Sequence, residues 1–174
     1  LEAIAKAIDT AEQTEGIRAV IFRGNGKGFS AGIDLTGFDE LAATFGENWR
    51  KQLFPVTEAM QAVLNKVESC TLPTIALLHN YCIGIGLELA LACDFRIATQ
   101  GTKLSLPEVT LGLIPDIGGT TRLTRLVGFG RAKEMIMTGR GVYPDKAYEW
   151  GLITEIVEKE DELYDIGFGF AQNF

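Results

Sequence analysis

Apolar positions along this chain alternate between two spacings. Leu1, Ile4, Ile8 and Ala11 recur every three or four residues and predict one face of a helix, which Gly16 ends. Ile17 to Phe22 is rich in β-branched residues and predicts a strand. The glycine-studded loop RGNGKGFSAG follows, then a short helix over Phe38 to Phe45 and a loop through Trp49. Val56, Met60, Val63, Leu64 and Val67 mark a long amphipathic helix. Ile75 to Leu78 is a short unbroken apolar run entered through Pro73, the pattern of a buried strand. Gly84 and Gly86 interrupt it, helical spacing runs from Leu87 to Cys93, and Phe95 to Ala98 returns to strand character. A short extended piece at 103–105 precedes helical patterns over 118–126, 130–138 and 144–150. Ile153 to Val157 predicts a last strand, and a helix begins at Asp161. Helices alternating with short strands predict an α/β domain.

The 174 residues suffice for one domain with a proper core. No apolar run approaches a membrane span. The net charge of −7 argues against nucleic acid or anionic lipid as a general partner. Cys70, Cys82 and Cys93 are odd in number and lack C-x-x-C spacing, so they read as buried thiols of a reducing compartment. His79 is the single histidine, which leaves little for a histidine metal site. The chain opens on Leu1 inside a helical pattern, so the natural N-terminus is expected upstream, with room for a targeting segment.

Two glutamates stand out. Glu88 lies in the first turn after Gly84 and Gly86, among Leu87, Leu89, Ala90 and Leu91. A first-turn acid can simply complement the helix dipole, but glutamate is almost never buried without a partner or a task. Glu108 repeats the design twenty positions on, in LPEVTLGLIPDIGGTTRL. Acids that follow two strands of one sheet can converge on one pocket, as acid–base chemistry requires.

Other motifs are weaker. A phosphate loop ending at Gly26-Lys27 would need glycine where Ile21 stands. Gly28 to Gly32 spells a G-x-S-x-G elbow around Ser30, but no strand or strong helix flanks it directly, and His79 is the only possible base. Gly84-Ile85-Gly86 lacks the third glycine of a dinucleotide fingerprint, since position 89 is Leu. Asp116 is either the N-cap of the next helix, accepting from N–H groups near Gly118 or Gly119, or a third pocket acid. Arg122, Arg125 and Arg131 read as solvated helix faces or as phosphate contacts, with Arg23 and Lys27 better placed for phosphate.

Three stretches, GFSAGIDL at 28–35, Leu72 to Thr99, and Leu106 to Leu123, together resemble the crotonase (enoyl-CoA hydratase/isomerase) superfamily. They occur in the family's order and spacing, and the resemblance runs from about Leu1 to Val157. It implies an α/β fold with a crotonase-like (ClpP/crotonase) spiral core of short strands packed by helices, truncated at both ends. Residues 1–160 would form the catalytic core and 161–174 the start of the helical region that builds trimers. It implies an acyl-CoA thioester as partner, bound by Lys27, Ser30, Ala31, Gly32, Asp34, Leu35, Gly84 and Gly86, and an oxyanion hole from the backbone N–H groups of Ile33 and Ile85. Relatives commonly carry Ala and Gly at those two positions, so the isoleucines depart from the pattern.

The implied reaction is hydration of a 2-enoyl-CoA to a 3-hydroxyacyl-CoA, with Glu88 and Glu108 holding one water. Neither metal nor redox cofactor is implied, coenzyme A being part of the substrate. An aspartate at position 116 is shared with the dienoyl-CoA isomerase branch, although that branch usually has Asp where Glu88 stands. Epoxyacyl-CoA isomerase-like relatives also carry a carboxylate there. Isomerisation with Asp116 as an extra acid is therefore the alternative reaction, and a non-catalytic acyl-CoA-binding or assembly module the alternative of another class. A homotrimer or dimer of trimers, in the cytoplasm or an organellar matrix, completes the expectation.

Overall fold

The structure is a computed structural model that describes residues 1–34, 37, 43, 44, 46 and 49–174, without the side chains at 49, 50 and 52. Leu35 and most of the helix expected over 38–45 lie outside the described residues. In order the elements are α1 (Glu2–Gln13), β1 (Val20–Arg23), α2 (Trp49–Glu68), β2 (Thr74–Leu78), β3 (Tyr81–Ile83), α3 (Ile85–Ala92), β4 (Phe95–Thr99) and β5 (Lys103–Ser105). A 3-10 turn (Glu108–Leu111), α4 (Gly119–Val127), α5 (Phe129–Thr138), α6 (Pro144–Glu149), β6 (Glu155–Val157) and α7 (Glu160–Ala171) follow.

β1, β2, β4 and β6 form a parallel sheet in that order, with Ile75 opposite both Ile21 and Phe95. β2 is buried at every position, which explains its unbroken apolar run. Ala76 and Leu78 face a core shared with Leu64, Leu87, Leu104, Leu123 and Met135. Ile75 and Leu77 face a second cluster closed by Leu163 of α7. α7 can sit this close because Gly167 has no side chain: a Cβ there would lie 2.4 Å from Leu77 Cδ2.

β3 and β5 form a separate parallel pair, with Cys82 opposite Leu104. β3 is not legible as a strand of its own. It is three residues long, and it begins after Asn80, whose φ of 52° turns the chain out of β2. A bridge from Ser30 to Cys82 extends this small sheet to the glycine loop. The strand expected over 17–22 is shorter, since pairing begins where the Val20 N–H donates to Pro73 O. At the last strand Ile153 belongs instead to a turn that bonds back to Ala147.

α3 is apolar on nearly all sides, as a helix enclosed by core must be. At its C-terminal end Arg96 of β4 supplies further donors. The buried guanidinium donates to Ala90 O (3.1 Å), Cys93 O, Asp94 O and Leu152 O (2.8 Å). Asp94 accepts from both the N–H and the hydroxyl of Thr74 (2.8 and 2.7 Å), which fixes the end of α3 against β2.

Arg96→Met should therefore cost about 3 kcal/mol, because several buried carbonyls lose their donor at once. In urea unfolding the midpoint should fall with the slope unchanged. A loss below about 0.5 kcal/mol would mean that water reaches those carbonyls instead.

Candidate active site

The two short strands β3 and β5 run side by side and end level, so the chain leaves both at the same place. After β3, Gly84 turns with φ 56° into α3, and its N–H donates to Ser105 O (2.9 Å) at the end of β5. Glu88 sits in the first turn of α3 and Glu108 opens the 3-10 turn after β5. A Cβ on Gly84 would lie only 3.0 Å from Glu108 Oε1, so glycine is what lets this carboxylate lie over the start of α3.

Glu88 is 2 % exposed. Its Oε1 accepts the N–H of Ile117 (3.0 Å) and of Gly119 (2.8 Å), the latter the first residue of α4. The acid that opens α3 thus meets the positive end of a different helix. A side chain at 119 would destroy this contact, since its Cβ would lie 2.7 Å from Glu88 Oε1 and 2.9 Å from Pro115. Of the two readings of Asp116, cap of α4 or pocket acid, this geometry excludes the cap. The N-cap is Gly118, with φ 103°, and the first N–H of the helix goes to Glu88 instead of Asp116. The Asp116 carboxylate instead receives a long bond from the Thr57 hydroxyl (3.4 Å), while Gln61 donates to the Asp116 carbonyl (2.6 Å).

Glu88, Glu108 and Asp116 line one cavity of about 260 Å³, together with Ile33, Asp34, Ile85 and Ile117. Leu53, Val56, Met60, Leu113 and Ile114 give it an apolar wall. Burial pushes Glu88 from its ordinary 4.5 up to about 7, and the charges of Glu108 and Asp116 add to the rise. The N–H bonds from Gly119 and Ile117 oppose it by favouring the carboxylate. Glu108 is raised as well, by burial first and by Asp116, against its own backbone bond. Glu108 Oε2 is buried without a donor among the described residues, so it can accept one from a molecule in the cavity.

The remaining residues singled out in the sequence divide into cavity walls and supports. Gly32 (φ 100°) and Gly84 bring two turns together: a Cβ on Gly84 would lie 3.8 Å from Gly32 Cα. Ile33 and Ile85 follow those glycines, and among the described residues neither N–H has an acceptor. Ser30 and Gly86 interlock, since a Cβ on Gly86 would fall 2.3 Å from Ser30 Cβ. The Ser30 hydroxyl accepts the Gly32 N–H (3.3 Å), so this serine shapes the loop. It has no histidine partner: His79 Nε2 lies 3.0 Å from Gly26 O and near Glu160.

Lys27 and Ala31 are exposed and are not among the residues lining the cavity, and the Lys27 carbonyl accepts a bond from Asn80 (2.8 Å). Arg23 lies over the Tyr164 ring at 5.3 Å, beside a second cavity lined by His79 and Glu160. Arg122 is not a solvated helix face. It is buried, paired with Glu68 (2.8 Å), and donates to Ile117 O (3.0 Å). Sequence patterns did not reveal that Ile117 and Gly119 would supply donors to Glu88, although the Gly118-Gly119 pair was a sign of close approach there. Among the described residues, no group of His, Cys, Asp and Glu is arranged to hold a metal ion.

A parallel α/β core with one buried and one half-buried glutamate on a single cavity, beside two glycine-led turns, has the crotonase-type fold. The model of the enoyl-CoA hydratase/isomerase family matches residues 1–172. The chain is 36% identical over 174 residues to the probable enoyl-CoA hydratase of Bacillus subtilis, covering all of this chain and 65% of that one. It is 35% identical over 173 residues to the mitochondrial Delta(3,5)-Delta(2,4)-dienoyl-CoA isomerase of Dictyostelium discoideum, covering 95% and 59% of the two chains. The crystal structure of the Bacillus anthracis enoyl-CoA hydratase superposes with a TM-score of 0.88 at 36% identity, over 99% of this chain and 64% of that one. The chain belongs to the enoyl-CoA hydratase/isomerase family, and spans about two thirds or less of the length of these relatives.

Because the carboxyl of Glu88 is raised in the fold, the folded state holds a proton that the unfolded state releases. Stability should therefore fall as pH rises from about 4.5 to about 7, by at most ~3 kcal/mol. Glu88→Gln should remove most of that slope in denaturant unfolding measured at several pH values. Glu108 contributes a remainder of the same sign.

Proposed function

We propose that this site binds an acyl-CoA thioester and adds water across the double bond of a 2-enoyl-CoA, giving a 3-hydroxyacyl-CoA. The observation that carries this reading is two carboxyl groups on one cavity beside two backbone N–H groups without acceptors among the described residues. The N–H groups of Ile33 and Ile85 are the donors for the thioester oxygen. That oxygen gains charge as an enolate forms, so fixed donors there favour the transition state over the ground state.

The hydrogen bonds divide the work of the glutamates. Two N–H donors on Glu88 Oε1 favour its carboxylate, which suits it to take a proton from water attacking C3. Glu108 Oε2 has no donor among the described residues, which favours the neutral acid that delivers a proton to C2. The water supplies hydroxyl to C3 and its proton to Glu88, and that proton returns to Glu108 before the next cycle, so the net turnover consumes one molecule of water. Gly32, Gly84 and Gly86 bring the backbone close enough to form the site. Asp34 belongs to the cavity wall. Family membership supports assembly as a homotrimer or dimer of trimers, in the cytoplasm or an organellar matrix.

The position of Asp116 favours a second reading, double-bond isomerisation of a dienoyl-CoA. Its carboxylate lines the same cavity and is not used as a helix cap. There the acids shuttle a proton between carbons and no water is added.

The test is turnover by the full-length protein of enoyl-CoA, dienoyl-CoA and epoxyacyl-CoA thioesters, read by mass. Gain of water by the enoyl thioester is expected. An unchanged mass with a moved double bond would select the isomerase, and no turnover of any of them would leave a binding module. Glu88→Gln and Glu108→Gln should each lower kcat by about 10²–10⁴, with KM changed much less. Asp116→Asn should spare hydration and reduce dienoyl isomerisation by about 10²–10⁴. Wild-type rates on both substrates would remove Asp116 from the chemistry.

A further inference from the structure

The Ile117–Gly119 turn lies between two ionic side chains. On one side Glu88 takes the N–H groups of Ile117 and Gly119. On the other, Arg122 Nη1 donates to the carbonyl of the same Ile117 (3.0 Å). The fit is tight on the arginine side too, since a Cβ on Gly118 would fall on the guanidinium. The guanidinium is itself held from α2. Glu68 Oε2 accepts from Nε (3.0 Å) and Nη2 (2.8 Å), and Asn65 Oδ1 accepts from Nη2 (2.6 Å).

We propose that Arg122 is a positioning residue for catalysis. Clamped by Glu68 and Asn65, it fixes the turn so that both backbone donors meet Glu88 Oε1 and the other carboxylate oxygen is left for substrate. A planar fork is needed for this, because three acceptors on two elements must be held at once. Arg122 is 5 % exposed, and burying a cation is a poor route to stability alone, which points to geometry as its contribution. The proposal rests on the reading of Glu88 as the base.

The charged groups around Glu88 are Glu108 and Asp116, while those around Arg122 are Glu68 and, through Glu68, Arg125 at 3.5 Å. If the clamp acts through geometry, loosening it weakens both N–H bonds, and the Glu88 carboxyl holds its proton to higher pH. If Arg122 acted only as a charge through space, removing Glu68 would move Glu88 the opposite way from removing Arg122.

The experiment is a ¹³C NMR titration of Glu88 in the ligand-free, full-length protein, assigned with Glu88→Gln. It needs no substrate, so it stands apart from the identity of the thioester. Arg122→Met, Glu68→Leu and Asn65→Leu should all raise the midpoint, Arg122→Met by about one pH unit. Turnover of enoyl-CoA by Arg122→Met should fall about tenfold or more, with KM little changed. A rise in Arg122→Met with a fall in Glu68→Leu overturns the proposal in favour of a field effect. Unmoved midpoints in folded variants overturn it in favour of a purely structural role. If Arg122→Met does not fold, Asn65→Leu decides, since it removes no charge: a rise supports the clamp and an unmoved midpoint overturns it.

Discussion

The site depends on one interaction, the acceptance of two backbone N–H groups by Glu88 Oε1. A carboxylate enclosed this fully cannot stay ionised near neutral pH without compensation. The compensation comes from the start of α4, where N–H groups have no partners within their own helix. It is partial, since burial and two neighbouring acids still hold Glu88 near 7. A carboxyl at that value exchanges a proton readily at neutral pH, which is the property acid–base catalysis needs.

Much of the fold can be read as the support of that contact. Arg96 and Asp94 hold the far end of α3, and the Gly84 N–H bond to Ser105 O holds its start, so the helix carrying Glu88 is tied at both ends. Arg122 holds the opposing turn from behind, through its bond to Ile117 O. Glycines stand where a Cβ would crowd the Glu108 carboxylate (Gly84), the Ser30 side chain (Gly86) or the Glu88 carboxylate (Gly119).

Asymmetry between the two glutamates is the second consequence. Both are raised by burial, yet one receives two backbone donors and the other leaves an oxygen without any among the described residues. Similar side chains in similar sequence settings thereby acquire different hydrogen-bond surroundings. Asp116 adds a third negative group to the same cavity and raises both neighbours further. Ile33 and Ile85 line the same cavity, and their N–H groups belong to the main chain whatever side chain they carry.

The sequence by itself determined the alternation of strands and helices, the burial of β2, and the two acids in matching apolar settings. Those features are local: they depend on spacing and on residues that neighbour one another in the chain. It also offered the resemblance that orders three motifs into one site. The tertiary structure alone decided which donors meet which acceptors. β3 exists because β5 and the Ser30 loop lie beside it, and no three-residue pattern encodes that. Asp116 reads locally as a cap, but Glu88, 31 positions before Gly119, takes that role. Arg122 reads locally as a helix surface, but α2 covers it and turns it into a support. Hydrogen bonds across tens of residues follow from how elements pack, and a pattern confined to each element carries no record of its neighbours.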